Sequence, residues 1–226
     1  MSSLTQLLAS PGRLLVLDAA STRVQVGLIG NGAPAWWRSV EDEAGTGLFR
    51  ATEALLHEAG VGLDEVGAFV FCEGPGSMLG TRTIAMALRT WQVIKPRPVY
   101  AYQSLAVAAR GAWAQQARAF AVIADARRET WHVQAVGADG RLAALQRVSA
   151  GELPSSELLT PEHFRAWAQP PRPAVACSYD LAKIFPALGD GDFFRATDTP
   201  DAFQHEAPEY KKWSAQVHSA ATAPSK

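Results

Sequence analysis

The sequence predicts an α/β protein, and three features predict it. Short apolar runs such as Leu14-Leu15-Val16-Leu17 and Ala68-Phe69-Val70-Phe71-Cys72 have the length and composition of strands. Between them, apolar residues recur three or four apart, which is the spacing of one helix face. A glycine-rich turn, Gly74-Pro75-Gly76, joins the second run to the helical stretch after it, and this alternation implies parallel strand pairing.

The chain begins with Met1 to Gly12, which lacks the basic start and long apolar centre of a secretory signal. Arg13 to Asp18 is then an apolar run closing on a carboxylate, followed by the small residues Ala19-Ala20-Ser21-Thr22. Val24, Val26, Leu28 and Ile29 recur near period two, Asn31-Gly32 supplies a turn, and Pro34 to Val40 returns, giving three strands joined by hairpins. Glu41 to Gly47 reads as a linker. Leu48, Thr52, Leu55, Leu56 and Ala59 line one face of a helix that Gly60 ends. Val66 to Cys72 is a buried strand, and Thr83 to Ile94 carries Ile84, Leu88 and Trp91 as a helical stripe. Pro98 to Tyr102 is a further strand, and Ser104 to Trp113 an alanine-rich helix.

The second half is less regular. Strands are expected at 118–124 and 130–136 around the turn Asp125-Ala126-Arg127-Arg128-Glu129, with a hairpin at Asp139-Gly140 leading into 141–148. Prolines 154, 161, 170, 171 and 173 break the stretch from Gly151, leaving one short helix from Pro161 to Trp167. Ala174 to Cys177 reads as a strand, Tyr179 to Leu188 as a helix, Gly189-Asp190-Gly191 as a surface turn and Phe193 to Arg195 as a last strand. Gln204 to Lys226 is expected to be a polar tail. No internal repeat is visible.

Composition bounds the function. At 226 residues and 48% hydrophobic content the chain can bury a full core, expected as a first lobe over 1–110 and a smaller second lobe over 111–226. Lys and Arg number 21 against 22 Asp and Glu, a net charge of −1, so no strong field is present and no direct nucleic-acid contact is expected. No run reaches the roughly 18 apolar residues of a membrane helix, and a cytoplasmic protein is expected. The two cysteines, Cys72 and Cys177, fit buried reduced thiols.

Gly74 and Gly76 let the backbone adopt positive φ or approach another segment closely, and Ser77 stands where an N-cap belongs. Such a turn can bind an anion on free amides at a helix start, or can serve close strand–helix packing. It lacks the lysine of a P-loop and the spacing of a dinucleotide fingerprint.

Leu15-Val16-Leu17-Asp18 before a small-residue hairpin, followed by Gly74-Pro75-Gly76-Ser77 with Gly80 and Arg82, resembles the TsaB family, also called YeaZ. Asp125-Ala126-Arg127 with Glu129, and Pro208-Glu209-Tyr210-Lys211, are similar to two further motifs of that family. Met78, Leu79 and Thr81 depart from its central motif, and Ala44-Gly45-Thr46-Gly47 stands where the family carries a His-Ser or His-Thr pair. The resemblance implies an actin-like ATPase fold, of the ribonuclease H-like, Hsp70 and sugar-kinase type. It also implies a non-catalytic subunit that pairs with TsaD, with TsaE as a third component, in threonylcarbamoyl modification of adenosine in tRNA.

That resemblance supplies the site expectations. Asp18, Ser21, Gly74, Gly76, Ser77 and Arg82 are the candidates for nucleotide phosphate, with no cofactor expected beyond weak ATP or ADP binding. Asp18 either stands near a metal-phosphate or caps the Ser21-Thr22 hairpin. Arg82 is expected to pair with Glu73, and Asp125 with Glu129 forms no acid–base couple. The five histidines, His57, His132, His163, His205 and His218, include no pair at ligand spacing, and no metal site is expected. Leu48, Phe49, Thr52, Leu56, Met86 and Val93 are the expected partner surface, serving TsaD or a second copy of the chain. In an alternating strand one of Trp36 and Trp37 must face outward. The alternative is a divergent ATP-using kinase or hydrolase of the same fold, with Asp18 and the 74–77 turn at the phosphates.

Overall fold

The computed structural model describes residues 1–9, 12–30, 32 and 34–204. Asn31, half of the expected turn, and the tail from residue 205, with the Pro208–Lys211 motif, His205 and His218, lie outside the described residues.

The order is α1 (Leu4–Ala9), β1 (Arg13–Asp18), β2 (Val24–Gly30), β3 (Trp36–Val40), α2 (Ala44–Ala59), β4 (Val66–Gly74), α3 (Met78–Ile94), β5 (Val99–Gln103) and α4 (Ser104–Gln116). It continues with β6 (Phe120–Asp125), β7 (Thr130–Val136), β8 (Gln146–Ser149), β9 (Glu157–Pro161), β10 (Ala174–Cys177), α5 (Leu181–Ile184) and β11 (Arg195–Ala196). The first sheet runs β11-β5-β4-β1-β2-β3 and the second β10-β9-β6-β7-β8.

Each sheet centres on a strand with an antiparallel hairpin pair on one side and two parallel strands on the other. The same order therefore occurs twice, which is the duplicated sheet of the actin-like ATPase fold. No residue-level repeat announces it, because the duplication lies in strand order and direction. The connections differ. In the first half, α2 and α3 cover one face of the sheet; in the second, the β8–β9 link carries only a 3-10 turn at Ala150–Glu152, and residues 162–173 form no helix.

The expected helix at 161–167 is thus absent. Pro161 ends β9, His163 has φ 65, and Asp125 captures the amides of Trp167 and Ala168, so the chain turns away after the strand. At the other end, α1 is an element the sequence reading did not supply. Ser3 and Gln6 cap it reciprocally, Gln6 N donating to Ser3 Oγ and Ser3 N to Gln6 Oε1. The stretch expected as a linker, Ala44 to Gly47, is the first turn of α2.

Two apolar layers flank the first sheet. Leu15, Leu17, Phe69 and Phe71 pack beneath α2 and α3 with Leu48, Leu55, Ile84 and Leu88. On the opposite face Val16, Val70, Leu105, Phe120, Val122, Phe185 and Phe194 form one continuous core between the two sheets. Each such fully buried side chain contributes about 1.5–3 kcal/mol by leaving water. The return of the chain at β11, where Arg195 and Ala196 pair with Ala101 and Tyr100, places residues beyond 110 in the first sheet as well. Trp37 packs on Gly27 and edge-on to Phe185 at 5.2 Å, so Trp36 is the outward indole.

Candidate functional site

Asp18 ends β1 with no solvent exposure at all. Its Oδ2 accepts from Tyr102 Oη at 2.6 Å and from Tyr179 Oη at 2.7 Å, while Oδ1 accepts from the Ala20 amide at 2.9 Å. Cys72 Sγ lies 4.0 Å from Tyr179 Oη. Burial pushes the Asp18 carboxyl above its ordinary range, against the opposing pull of its hydrogen bonds from Tyr102, Tyr179 and Ala20. Burial likewise holds Tyr102, Tyr179 and Cys72 well above their usual values.

Of the two readings of Asp18, a neighbour of a metal-phosphate or a cap of the hairpin after β1, the contacts match a local cap through Ala20 N, within a closed polar cluster that joins β1 and β5 to the segment after β10. Gln25 repeats the join, donating to Tyr179 O and accepting from the Leu181 amide, both at 2.9 Å. Neither Tyr102 nor Tyr179 was singled out from sequence. The available signal was generic: a tyrosine in a buried strand needs a hydroxyl partner.

The 74–80 turn is built for close approach. A Cβ on Gly76 would sit 2.3 Å from Ala20 O, and one on Gly80 2.0 Å from Ala19 O, so both glycines let α3 begin against the small residues after β1. The Ser77 amide donates to Ala20 O at 2.7 Å, and Ser77 Oγ accepts from the Gly80 amide at 3.3 Å. Ser21 Oγ is engaged with Arg23 N and O. These groups, with Asp18, do not fit a magnesium-bound nucleotide at that place.

Arg82 does not pair with Glu73. Glu73 is held by Arg195 Nη2 from β11 at 2.5 Å, whereas Arg82 lies on the exposed side of α3 and makes no ion pair among the described residues. The face of α3 turned to the sheet carries Gly80, Thr81, Ile84, Ala85, Ala87 and Leu88, which points Arg82 outward.

The expected partner surface divides. Leu48, Thr52 and Leu56 are buried, because α2 turns that stripe onto the first sheet; they are core residues and line no free surface. Phe49, Met86 and Val93 are exposed, Met86 at 58% and Val93 at 86%, and the structure adds Leu79 at 74%. Leu79, Met86 and Val93 fall seven residues apart on α3 and so form one seam on its outer side. Phe49 of α2 is edge-on to Trp91, which is turned toward the sheet and packs near Phe69.

A third region lies where β6 turns into β7. Arg127, Arg128 and Glu129 have φ of 63, 51 and 58, a run of left-handed non-glycine residues. Asp125 supports it: Oδ1 accepts from the Arg127 amide at 2.6 Å, and Oδ2 from Trp167 N at 2.5 Å and Ala168 N at 2.8 Å. Burial pushes Asp125 upward, but these amides outweigh it and hold the carboxyl below its ordinary value. Glu129 takes no part in that set. Among the described residues no cluster of three His, Cys, Asp or Glu gathers as a metal site, and no helix is long and apolar enough to cross a membrane.

No family model matches the chain, and no curated protein does. Among solved structures, YeaZ from Pseudomonas aeruginosa is similar with a TM-score of 0.62 and 24% identity, over 78% of this chain and 90% of that one. A protein described as uncharacterized, with similarity to peptidase YEAZ from Pseudomonas aeruginosa, has a TM-score of 0.61 and 23% identity, over 78% and 89%. The chain thus has the fold of YeaZ, an actin-like ATPase fold.

Proposed function

We propose that the chain is a non-catalytic partner subunit. It docks through α3 and the edge of α2 on a TsaD-like enzyme in threonylcarbamoyl modification of adenosine in tRNA, with TsaE as a third component, and pairs with a second copy of itself when alone. The observation that carries this reading is the exposed seam Leu79-Met86-Val93. Three large apolar side chains at heptad spacing on the outside of a helix offer what a partner helix needs, and an isolated monomer gains nothing from exposing them. The committed state of Asp18 and Ser77 supports the absence of catalysis here and leaves the chemistry to the partner.

The test mixes the protein with a TsaD-like subunit and follows complex size by analytical ultracentrifugation. Met86→Asp, on the exposed face, should weaken the complex at least about thirtyfold, as a charge placed in an interface centre does, with the circular dichroism of the free protein unchanged. Leu56→Asp is unsuitable as an interface probe, because it would place a charge in the core. No complex with the unaltered protein, or a complex indifferent to Met86→Asp, overturns the reading.

A further inference from the structure

We infer that the two adjoining cavities beside Asp125, where β6 turns into β7 and the segment after β9 passes, form a docking groove for an acidic protein segment that carries one aromatic or aliphatic anchor. This surface adjoins the start of α3, since Met78 and Leu79 line the smaller cavity, but its charged and aromatic groups come from the second sheet and the segment after β9. Two cavities, of about 560 and 460 Å³, meet at Asp125, Phe164 and Arg165. In the first sheet the corresponding face is covered by the helices α2 and α3; in the second it is covered by irregular chain, with Ala150, Leu153 and Ala174 packed on it, and the cavities lie at the margin of that cover. The walls of the larger cavity are apolar in part, with Phe164, Pro170, Pro173 and Ala174 at its surface and the buried Ile123 and Trp131 beneath.

Arginines outnumber carboxylates around these cavities by three to one. Arg127, Arg165 and Arg172 line the two cavities, and the lone carboxylate among the lining residues is Asp125, whose oxygens are taken by three backbone amides. Arg165 is exposed and makes no ion pair among the described residues. Arg127 is stacked over Trp167, its guanidinium carbon 5.1 Å from the ring centroid, which orients the fork and leaves its donors free. Arg172 spends donors on Ser155 O and Ser156 O at 3.0 and 2.9 Å and is thereby fixed in place. Trp167 itself is 68% exposed.

Arg127 and Arg165 have the fork that matches carboxylates in the bidentate manner, Arg172 adds a fixed positive charge, and the partly apolar cavity between them takes one apolar side chain. A nucleic-acid strand fits less well. The net charge of −1 supplies no long-range attraction, and the one exposed indole, Trp167, already has Arg127 over its ring.

The experiment uses the full chain and a fluorescein-labelled peptide of four glutamates around one phenylalanine, followed by fluorescence polarisation. Saturable binding is expected, weakened about tenfold or more by Arg165→Glu and by Arg127→Glu, as for a lost charge-assisted bond, and unchanged by Arg141→Glu elsewhere on the surface. Failure to saturate overturns the proposal, as does equal affinity for the glutamine version of the peptide. So does tighter binding of an oligothymidine strand, which would make the groove a nucleic-acid surface. A tenfold gain in peptide affinity on removing residues 205–226 also overturns it, because the chain's own C-terminal segment would then be the occupant.

Discussion

Asp18, Tyr102 and Tyr179 come from β1, β5 and the segment after β10, and none of the three has water to fall back on. Tyr179→Phe leaves its shape in place but removes one donor from a buried carboxylate, and should cost about 1–3 kcal/mol of stability in urea unfolding. A change under a few tenths would mean that the cluster is not as closed as its geometry states. The same carboxyl gives a pH dependence. Its folded value lies above the ordinary 3.8, so its contribution to stability is fully present below 3.8 and is lost as pH rises through the folded value. Relative to Asp18→Asn, the unaltered protein should be favoured most at the lowest pH, with the difference shrinking as pH rises. An opposite slope would show that hydrogen bonding, and not burial, governs Asp18.

At the scale of an element, glycines in α2 and α3 look alike in the sequence but have opposite roles. Gly80 in the first turn of α3 faces Ala19 O, and Gly80→Ala should cost about 3 kcal/mol or more, because the neighbour in the way is backbone and cannot yield. Gly45 in the first turn of α2 has nothing within 4 Å of an added Cβ, and Gly45→Ala should raise stability by about 0.5 kcal/mol through helix propensity. Thermal melts of the two variants should therefore move in opposite directions. A stabilised Gly80→Ala would contradict the close crossing of β1 and α3. Spacing alone identified the buried stripe of α2 as apolar, but it could not tell Leu48 and Leu56 from Phe49. A helix with more apolar residues than one face needs can bury either set, and the pairing with β2 and β3 decides which.

For the whole molecule, the core between the sheets draws on β1, β4, α4, β6 and α5 without a break, and Gln25 and Tyr179 fasten its polar side. The two sheets should unfold together. Scanning calorimetry should give one transition with equal calorimetric and van't Hoff enthalpies, and two resolved transitions would show that the halves are separate domains.

The sequence by itself determined the α/β class, nearly all of the strands and helices of the first half, and the strand–turn–helix at 74–80, because those depend on local periodicity and on glycine, proline and N-cap chemistry over a few residues. It also carried the apolar surplus of α3. Only the tertiary structure decided what Asp18 and Glu73 face, since Tyr179 and Arg195 arrive from 161 and 122 residues away. It alone decided that 162–173 is held by Asp125 at Trp167 and Ala168 and forms no helix. Side-chain pairing across such separations follows from how the two sheets stack, and no spacing along the chain encodes it.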